Sequence, residues 1–342
     1  MMSLDWRQVT CGMRRSPVNE GIAVEVRQLV KRYPKGQTEA VDQLSFAVAN
    51  GEIFGLLGPN GAGKSTTIGV LTTRIKPTGG QALIAGVDVV AAPQTVRGLF
   101  GVVPQHNNLD RSLSVRQNLL FHAAYHGMPK AARERRAEEL LEQFSLTSRA
   151  NDKPEYFSGG QNQRMMIARA LMHYPRVLFL DEPTTGLDPA ARLFVWARIR
   201  ELCESGVTIV LTTHDMDEAA ELADRVGIVD SGRLLAQDTP AALVRRLTTA
   251  ATLQITVESS RDSNNAGLLD RLGTLAGVQR YEHVSAQGPL HTFRLHLTTN
   301  AAGMIAQIGA VVAAAGGRLI AVETGAASLE DVFIKLTGRG LR

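Results

Sequence analysis

The sequence predicts an α/β protein with a mostly parallel core sheet, followed by a smaller α+β domain. Short apolar runs alternate with segments whose apolar residues recur at helical spacing, as in parallel sheets covered by helices on both faces. One of these runs, residues 53–57, leads directly into a glycine-rich turn. A second alternation of strands and helices begins near residue 251, after the first has ended. These observations place the core sheet in the first two thirds of the chain.

Length and composition indicate a globular protein with a sizeable core. The chain has 342 residues, of which 44% are hydrophobic and 20% are charged. Its net charge of +4 is small and scattered, so no nucleic-acid partner is expected. The two cysteines, Cys11 and Cys203, have no CxxC partner and no histidine cluster nearby, so neither a disulfide nor a zinc site is indicated at them. This cysteine usage fits a reducing, cytosolic compartment.

The first 20 residues are expected to form a disordered tail. They are polar and lack the apolar stretch of a secretory signal. Translation starts at Met1 or Met13 in this interpretation.

Residues 21–247 are predicted to form the first domain. Alternating apolar residues predict two half-buried strands, with Ile22, Val24 and Val26 in one and Leu44, Phe46 and Val48 in the other. Residues 177–180 and 207–211 are apolar runs typical of central parallel strands, and a helix is predicted between them. Residues 226–235, interrupted by Ser231-Gly232, predict a hairpin at the end of the domain.

A helical subdomain is predicted to interrupt this sheet domain at about residues 106–160. Its segment 130–142 mixes arginine and glutamate, which is typical of a solvated helix face. Arg135 and Glu139 have the spacing of an ion pair on that face. Three apolar residues of the subdomain, Leu113, Phe121 and Tyr125, either line a groove for a partner or fill the subdomain's own core.

Residues 251–342 are predicted to form a small accessory α+β domain. Strands are expected at residues 253–257, 291–297 and 319–322, and helices at 267–275, 304–315 and 329–336. The helix at 304–315 has one apolar face and is interrupted by Gln307, so no direct membrane span is expected. The last helix carries an apolar stripe that either docks on another surface or closes this domain's own core, formed by Leu329, Val332, Phe333 and Leu336.

The strongest motif is the glycine-rich turn between the strand at 53–57 and a helix that starts near Lys64. It matches G-x-x-x-x-G-K-[ST] and consists of Gly58, Pro59, Asn60, Gly61, Ala62, Gly63, Lys64, Ser65 and Thr66. Glycines let successive backbone N–H groups face phosphates, and the helix N-terminus adds partial positive charge. Lys64 suits the outer phosphates of ATP, and the Ser65 hydroxyl suits Mg²⁺.

A second motif ends the apolar strand at residues 177–180. Asp181 follows at the carboxyl end of the strand, where ligands of open α/β sheets bind, and it is a candidate Mg²⁺ ligand. Glu182 comes next and is the candidate general base that polarises the attacking water. The two motifs together predict a P-loop ATPase that uses ATP and Mg²⁺.

The segment Phe157-Ser158-Gly159-Gly160-Gln161 narrows the class of ATPase. It resembles the Leu-Ser-Gly-Gly-Gln signature of the ABC ATPases, with Phe157 as the one difference. The resemblance covers residues 21–245 and implies a P-loop ABC-type fold. It also implies that Ser158, Gly159, Gly160 and Gln161 bind the γ-phosphate held by the opposite subunit of a homodimer.

Four further positions match the ABC family in sequence order. Gln105 corresponds to the Q-loop glutamine, which is implied to sense Mg²⁺ and the attacking water. Asp188 ends a segment that resembles the D-loop, and His214 corresponds to the switch histidine that contacts the γ-phosphate. Tyr33 lies where the family stacks an aromatic residue on adenine.

Softer motifs resemble the exporter branch that includes daunorubicin-type resistance and nodulation-factor export ATPases. They lie at residues 107–119 and 329–339. This resemblance implies an ATP-hydrolysing subunit at the inner face of the cell membrane, coupled to a permease on a separate chain. The implied cargo is a drug, a lipid or a glycolipid-like molecule.

Soluble ABC ATPases that act on ribosomes or DNA are the alternative. Ribosome-acting members typically carry two cassettes, and only one P-loop occurs in this chain. The DNA-acting members insert long coiled coils between P-loop and signature, whereas 93 residues without sustained heptads separate Lys64 from Ser158 here. The transporter interpretation is therefore favoured.

Overall fold

The computed structural model describes residues 21–34, 38–246, 251–258, 265–297, 301–325 and 328–338. The expected tail at residues 1–20 lies outside these ranges, together with Cys11 and both start positions. The chain divides into two compact units, the first ending at Pro240 and the second beginning at Ala241.

The first unit contains two sheets and a set of helices. Its strands are β1 (Ile22–Arg32), β2 (Glu39–Ala49), β3 (Ile53–Leu57), β4 (Gly79–Ile84), β5 (Val87–Asp88), β6 (Phe100–Val103), β7 (Val177–Asp181), β8 (Thr208–Thr213), β9 (Arg225–Asp230) and β10 (Arg233–Asp238). Its helices are α1 (Lys64–Leu71), α2 (Pro93–Arg97), α3 (Val115–Tyr125), α4 (Lys130–Gln143), α5 (Gly159–Ala170), α6 (Pro189–Glu204) and α7 (Met216–Leu222). Helix α8 (Pro240–Arg245) begins where the unit ends.

The central sheet has six strands in the order β10-β9-β3-β8-β7-β6. All neighbouring strands run parallel except β10, which forms an antiparallel hairpin with β9. Every residue of β3 and β8 is buried, as expected of central strands covered on both faces. The predicted mostly parallel core sheet and its terminal hairpin are therefore confirmed. The carboxyl ends of β3, β7 and β8 meet at one edge of this sheet, where the motif residues follow.

A second, antiparallel sheet has the order β2-β1-β4-β5. The two half-buried strands predicted at the start of the domain belong to this sheet and not to the parallel one. Strands β4 and β5 were not predicted. Glycine at position 80 allows the bend in β4, since its φ is +76° and a Cβ there would lie 2.1 Å from the carbonyl oxygen of Gln28.

The helical part of the first unit comprises α3, α4, α5 and two short 3₁₀ turns, Thr147–Arg149 and Pro154–Tyr156. A capping box between Ser114 and Gln117 starts α3. On α4 the expected pairing of Arg135 with Glu139 is wrong, because Glu139 pairs with Arg136 at 3.1 Å. Arg136 is also not a solvated residue, since it is 4% exposed and lies over the Tyr174 ring.

The exposure of two residues on helix α3 decides whether they fill the core of the helical subdomain. Phe121 is 61% exposed and Tyr125 is 82% exposed, so neither fills the core of the helical subdomain. The two residues are one helical turn apart and share a face. Leu113, before the helix, is partly buried.

The second unit is a four-stranded antiparallel sheet with two helices and a final helix. Its elements are β11 (Ala251–Glu258), α9 (Asn265–Gly273), β12 (Val278–Gln287), β13 (Leu290–Leu297), α10 (Ala301–Ala314), β14 (Arg318–Gly325) and α11 (Leu329–Thr337). The strand order is β12-β13-β11-β14, so the βαββαβ connectivity forms a split βαβ arrangement. Its apolar core includes Ile255, Phe293 and Ile308.

Two features of this unit differ from, or refine, the sequence expectation. Strand β12 was not predicted, because its residues are mostly polar and intermediate or exposed where described. In α11 the apolar stripe is buried at Leu329, Val332 and Phe333 but 42% exposed at Leu336.

No helix within the described ranges is long and apolar enough to cross a membrane.

Candidate functional site

A cavity of about 400 Å³ lies at the carboxyl edge of the parallel sheet. It is lined by the glycine-rich turn from Pro59 to Thr66 and by Ala40, Gln105 and Glu182. The turn joins the buried strand β3 to α1, so its backbone N–H groups and the helix N-terminus converge on the cavity. Gly63 is required at the start of α1, because its φ is +100° and a Cβ would lie 2.4 Å from the Ala40 carbonyl oxygen.

Lys64 holds the turn closed from inside. Its Nζ donates to the carbonyl oxygens of Gly58 at 2.6 Å and Pro59 at 3.1 Å. The residue is 5% exposed, and Nζ lies 3.9 Å from Glu182 Oε1. Burial lowers the pKa of Lys64 below the usual lysine value, and the carboxylates of Glu182 and Asp181 oppose that shift. The cation is thus placed where phosphate charge would replace the solvation it has lost.

Ser65 and Asp181 supply adjacent oxygen atoms beside this cation. The Ser65 hydroxyl donates to Asp181 Oδ1 at 3.1 Å, and the Thr212 hydroxyl donates to the same oxygen at 2.5 Å. Asp181 is the last residue of β7, and Thr212 is its neighbour in register on β8. A hydroxyl and one carboxylate, together with phosphate oxygens and water, form the hard oxygen set that Mg²⁺ prefers.

Glu182 is the point at which four chain segments meet. Its Oε2 accepts from Gln105 Nε2 at 3.0 Å and from the Thr185 hydroxyl at 3.2 Å, while Oε1 lies 3.2 Å from His214 Nδ1. The residue is 8% exposed and its φ is +50°, in the left-handed region that non-glycine residues rarely adopt. Its N–H donates to the Thr212 carbonyl at 3.0 Å, which stabilises this strained backbone.

The signature segment does not line this cavity in the described chain. Ser158 caps α5 and forms a capping box with Gln161, whose side-chain oxygen also accepts from Arg149 at 3.0 Å. Gly159 and Gly160 form the first turn of α5. A Cβ on Gly160 would lie 2.7 Å from Ala191 Cβ, so glycine lets α5 approach α6.

The other predicted residues lie at the margins of the site. Tyr33 is 40% exposed, and its hydroxyl lies 3.5 Å from the Thr66 hydroxyl. Asp188 caps α6, and its side chain accepts from Ala191 N–H at 2.9 Å. Neither residue lines the cavity formed by the described residues.

Two threonines that orient the carboxylates, Thr212 and Thr185, were not predicted as site residues. Thr212 immediately follows the apolar run of β8, at the same sheet edge as Asp181. Polar residues at the carboxyl end of a strand next to a motif strand were the available signal. Ala40, which closes the cavity over Gly63, carried no such signal.

Comparison with known proteins assigns the family. The sequence pattern of the ABC transporter family matches residues 41–185. The daunorubicin resistance ATP-binding protein DrrA2 of Streptomyces coeruleorubidus is 36% identical over 321 residues, which cover 93% of this chain and 96% of that protein. The Nod factor export ATP-binding protein I of Paraburkholderia xenovorans (strain LB400) is 37% identical, with 94% and 98% covered.

Solved structures agree with the sequence relatives. An ATP-binding subunit of an ABC transporter superimposes with a TM-score of 0.61 at 33% identity, covering 66% of this chain and 93% of that one. A dimeric bacterial ABC transporter cassette gives a TM-score of 0.59 at 28% identity, covering 63% and 98%.

Proposed function

This chain belongs to the ATP-binding subunits of ABC transporters, and we propose that it powers an exporter whose membrane permease is a separate polypeptide. It is an ATP hydrolase of that family. The proposed cargo is a drug, a lipid or a glycolipid-like molecule, since relatives of nearly full length are named for daunorubicin resistance and Nod factor export. In this proposal the chain works at the cytoplasmic face of the membrane.

The convergence of Lys64, Gln105 and His214 on Glu182 is the observation that carries the catalytic proposal. Glu182 accepts a proton from the attacking water, which requires a carboxylate beside the transferring phosphate. Gln105 and His214 hold that carboxylate and sense the γ-phosphate. Lys64 leaves the Gly58 and Pro59 carbonyls and binds the outer phosphates, so its charge stabilises the transition state.

Ser65 and Asp181 are the proposed Mg²⁺ ligands. The Ser65 hydroxyl lies beside Asp181 Oδ1, which the Thr212 hydroxyl holds in place, and such oxygen ligands fit that ion. The ion would neutralise charge on the phosphate oxygens. Gln105 was predicted as a third ligand. Its amide nitrogen donates to Glu182, and its side-chain carbonyl oxygen is the atom that could bind a cation.

A homodimer completes the site in this proposal. The N-terminus of α5, capped by Ser158, offers a second phosphate-binding group that is not used by the chain's own cavity. A partner subunit arranged head to tail would bring its Ser158 and Gly159 to the γ-phosphate, and the D-loop residue Asp188 would lie near the interface. A dimeric cassette among the structural relatives supports this arrangement.

The exposed face of α3 is the proposed permease contact. Phe121 and Tyr125 present apolar surface on a helix that follows Gln105 by ten residues, so a change at the γ-phosphate has a short path to this face. Leu113 is partly buried and lies just before the same helix. Large exposed apolar residues that share a helix face are typical of protein contacts.

Cysteine crosslinking in native membranes tests this proposal. Phe121→Cys and Tyr125→Cys should each form a covalent adduct with an integral membrane protein. Leu193→Cys is the matched control, since Leu193 is 62% exposed on α6, outside the helical part. Cys203 can be retained, because burial raises the pKa of its thiol to about 11 and keeps it unreactive at neutral pH. Cys11 should be replaced by serine.

The outcomes separate the proposal from its alternative. Adducts from α3 and none from position 193 support an exporter subunit. Adducts with ribosomal proteins, or equal labelling from all three positions, contradict it.

A further inference from the structure

Three histidines of the first unit lie together outside the ATP cavity. His122 lies on α3, His126 caps the C-terminus of that helix four residues later, and His173 lies in the turn that follows α5. One ring nitrogen from each lies within 4.8 Å of those of the other two. The rings of His126 and His173 stack with centroids 3.8 Å apart, and the His122 centroid is 4.9 Å from that of His126.

Two ring nitrogens of this cluster are buried without a hydrogen-bond partner in the described chain, His122 Nε2 and His173 Nδ1. His173 Nε2 lies 2.9 Å from the Phe100 carbonyl oxygen. Since a carbonyl can only accept, Nε2 carries the proton and Nδ1 presents its lone pair. A ring held by an N–H···O=C bond on one side with a free lone pair on the other is the usual arrangement of a metal-binding histidine.

Burial also disfavours the protonated form of all three rings, and metal ligation requires the neutral form. Burial lowers the pKa of His122 to about 3, with His126, Arg169 and His173 adding to the shift. Burial lowers the pKa of His173 to about 4, and it lowers the pKa of His126 as well.

We propose that His122, His126 and His173 bind one divalent transition-metal ion of the zinc class. Imidazole nitrogens select Zn²⁺ and its neighbours over Mg²⁺, which prefers oxygen. Three nitrogens at 2.0–2.1 Å from a tetrahedral ion are about 3.3 Å apart, so the cluster must contract slightly on binding. The stacked His126 and His173 rings cannot both direct an in-plane lone pair at one ion, so binding must turn the His126 ring out of the stack, with water at the fourth position.

The ion ties α3, which carries the proposed permease contact, to the turn that follows α5, the helix whose opposite end carries the proposed γ-phosphate contact. Arg169 opposes binding, since its charge acts on His122. Its guanidinium is held by the side-chain and carbonyl oxygens of Asn108. We therefore expect affinity below that of four-ligand structural zinc sites.

Metal titration of the full chain tests the site. The protein is prepared without a histidine tag, treated with a chelator and kept free of nucleotide. Co²⁺ is followed by its visible absorption and Zn²⁺ by calorimetry. We expect one ion per chain, a higher thermal midpoint with Zn²⁺, and at least about tenfold weaker binding in His122→Gln and His173→Gln.

Two controls locate the ion. His106→Gln removes an exposed histidine outside the cluster, and His283→Gln removes one of a pair with His291 in the second unit, where the ring nitrogens are 3.3 Å apart. Both should bind metal as the wild type does. If His173→Gln does not fold, His126→Ala replaces it, since His126 is less constrained. Absence of binding by the wild type, or binding that survives in the cluster variants, overturns the proposal.

Discussion

Replacing Glu182 by glutamine tests the catalytic centre most directly. The amide keeps the size of the side chain, and its oxygen can still accept from Gln105 and Thr185, which donate to the carboxylate at 3.0 and 3.2 Å. The NH₂ group takes the place of Oε1, which lies 3.9 Å from Lys64 Nζ and 3.2 Å from His214 Nδ1, so the ion pair with Lys64 is lost. The substitution therefore keeps the size of the side chain and the contacts of Oε2, and it removes the basic group.

The expected loss follows from this geometry. Removing a positioned general base typically lowers the rate by about 10²–10⁴-fold, which corresponds to about 3–5 kcal/mol in the activation barrier. ATP binding should persist, because the glycine-rich turn and Lys64 are unchanged. Phosphate release at saturating ATP measures kcat, and equilibrium binding of a fluorescent ATP analogue measures affinity.

Glu201→Gln is the matched control for this substitution. Glu201 is half exposed on α6 and pairs with Arg198 at 2.8 Å, a surface contact of little energetic weight. Its kcat should equal that of the wild type. Unchanged turnover in Glu182→Gln, with the thermal midpoint preserved, would refute the role given to Glu182 and transfer it to another group.

Three further predictions concern the dimer, the helix packing and one buried acid. Mixing Ser158→Arg chains with Lys64→Ala chains should restore an ATP-dependent dimer on size-exclusion chromatography, because one site per mixed dimer stays intact; no dimer from folded variants contradicts the two-site arrangement. Gly160→Ala should lower the free energy of unfolding in urea by about 1–3 kcal/mol through overpacking, whereas Gly159→Ala, whose Cβ would meet nothing nearer than 3.8 Å, should lower it much less. Burial raises the pKa of Glu218 above 4.5, so the native state holds this proton more tightly than the unfolded chain and stability falls as pH rises. Glu218→Gln should therefore gain thermal stability relative to the wild type as the pH rises above 4.5, and a constant difference contradicts this.

The sequence predicted the parts of the fold in which local pattern and tertiary environment agree. Strand β3 spans the predicted apolar run, because a fully buried strand needs a continuous apolar sequence, and helix α1 begins at Lys64 as the glycine-rich turn indicated. Strand β12 was not predicted, because its intermediate and exposed positions place little constraint on the residue types. The prediction of a solvated face was wrong at Arg136, because a buried arginine that packs on Tyr174 has the same local sequence pattern as a solvated one.

The candidate site was predicted as residues but not as a network. Motifs named Lys64, Asp181 and Glu182, yet the hydroxyls of Thr212 and Thr185 that orient the two carboxylates follow from strand register and a tight turn. The histidine cluster was also missed. His122 and His173 are 51 residues apart in the sequence, and only the packing of α3 against the end of α5 brings them together.

The close approach of α5 and α6 at Gly160 has a mechanical consequence. With no room for a methyl group beside Ala191, nothing compressible separates the two helix N-termini. Ser158 caps one of these helices and Asp188 caps the other. A rotation of α5 therefore displaces the start of α6 by a similar amount instead of being absorbed between them. We therefore expect the signature segment and the D-loop segment to move together.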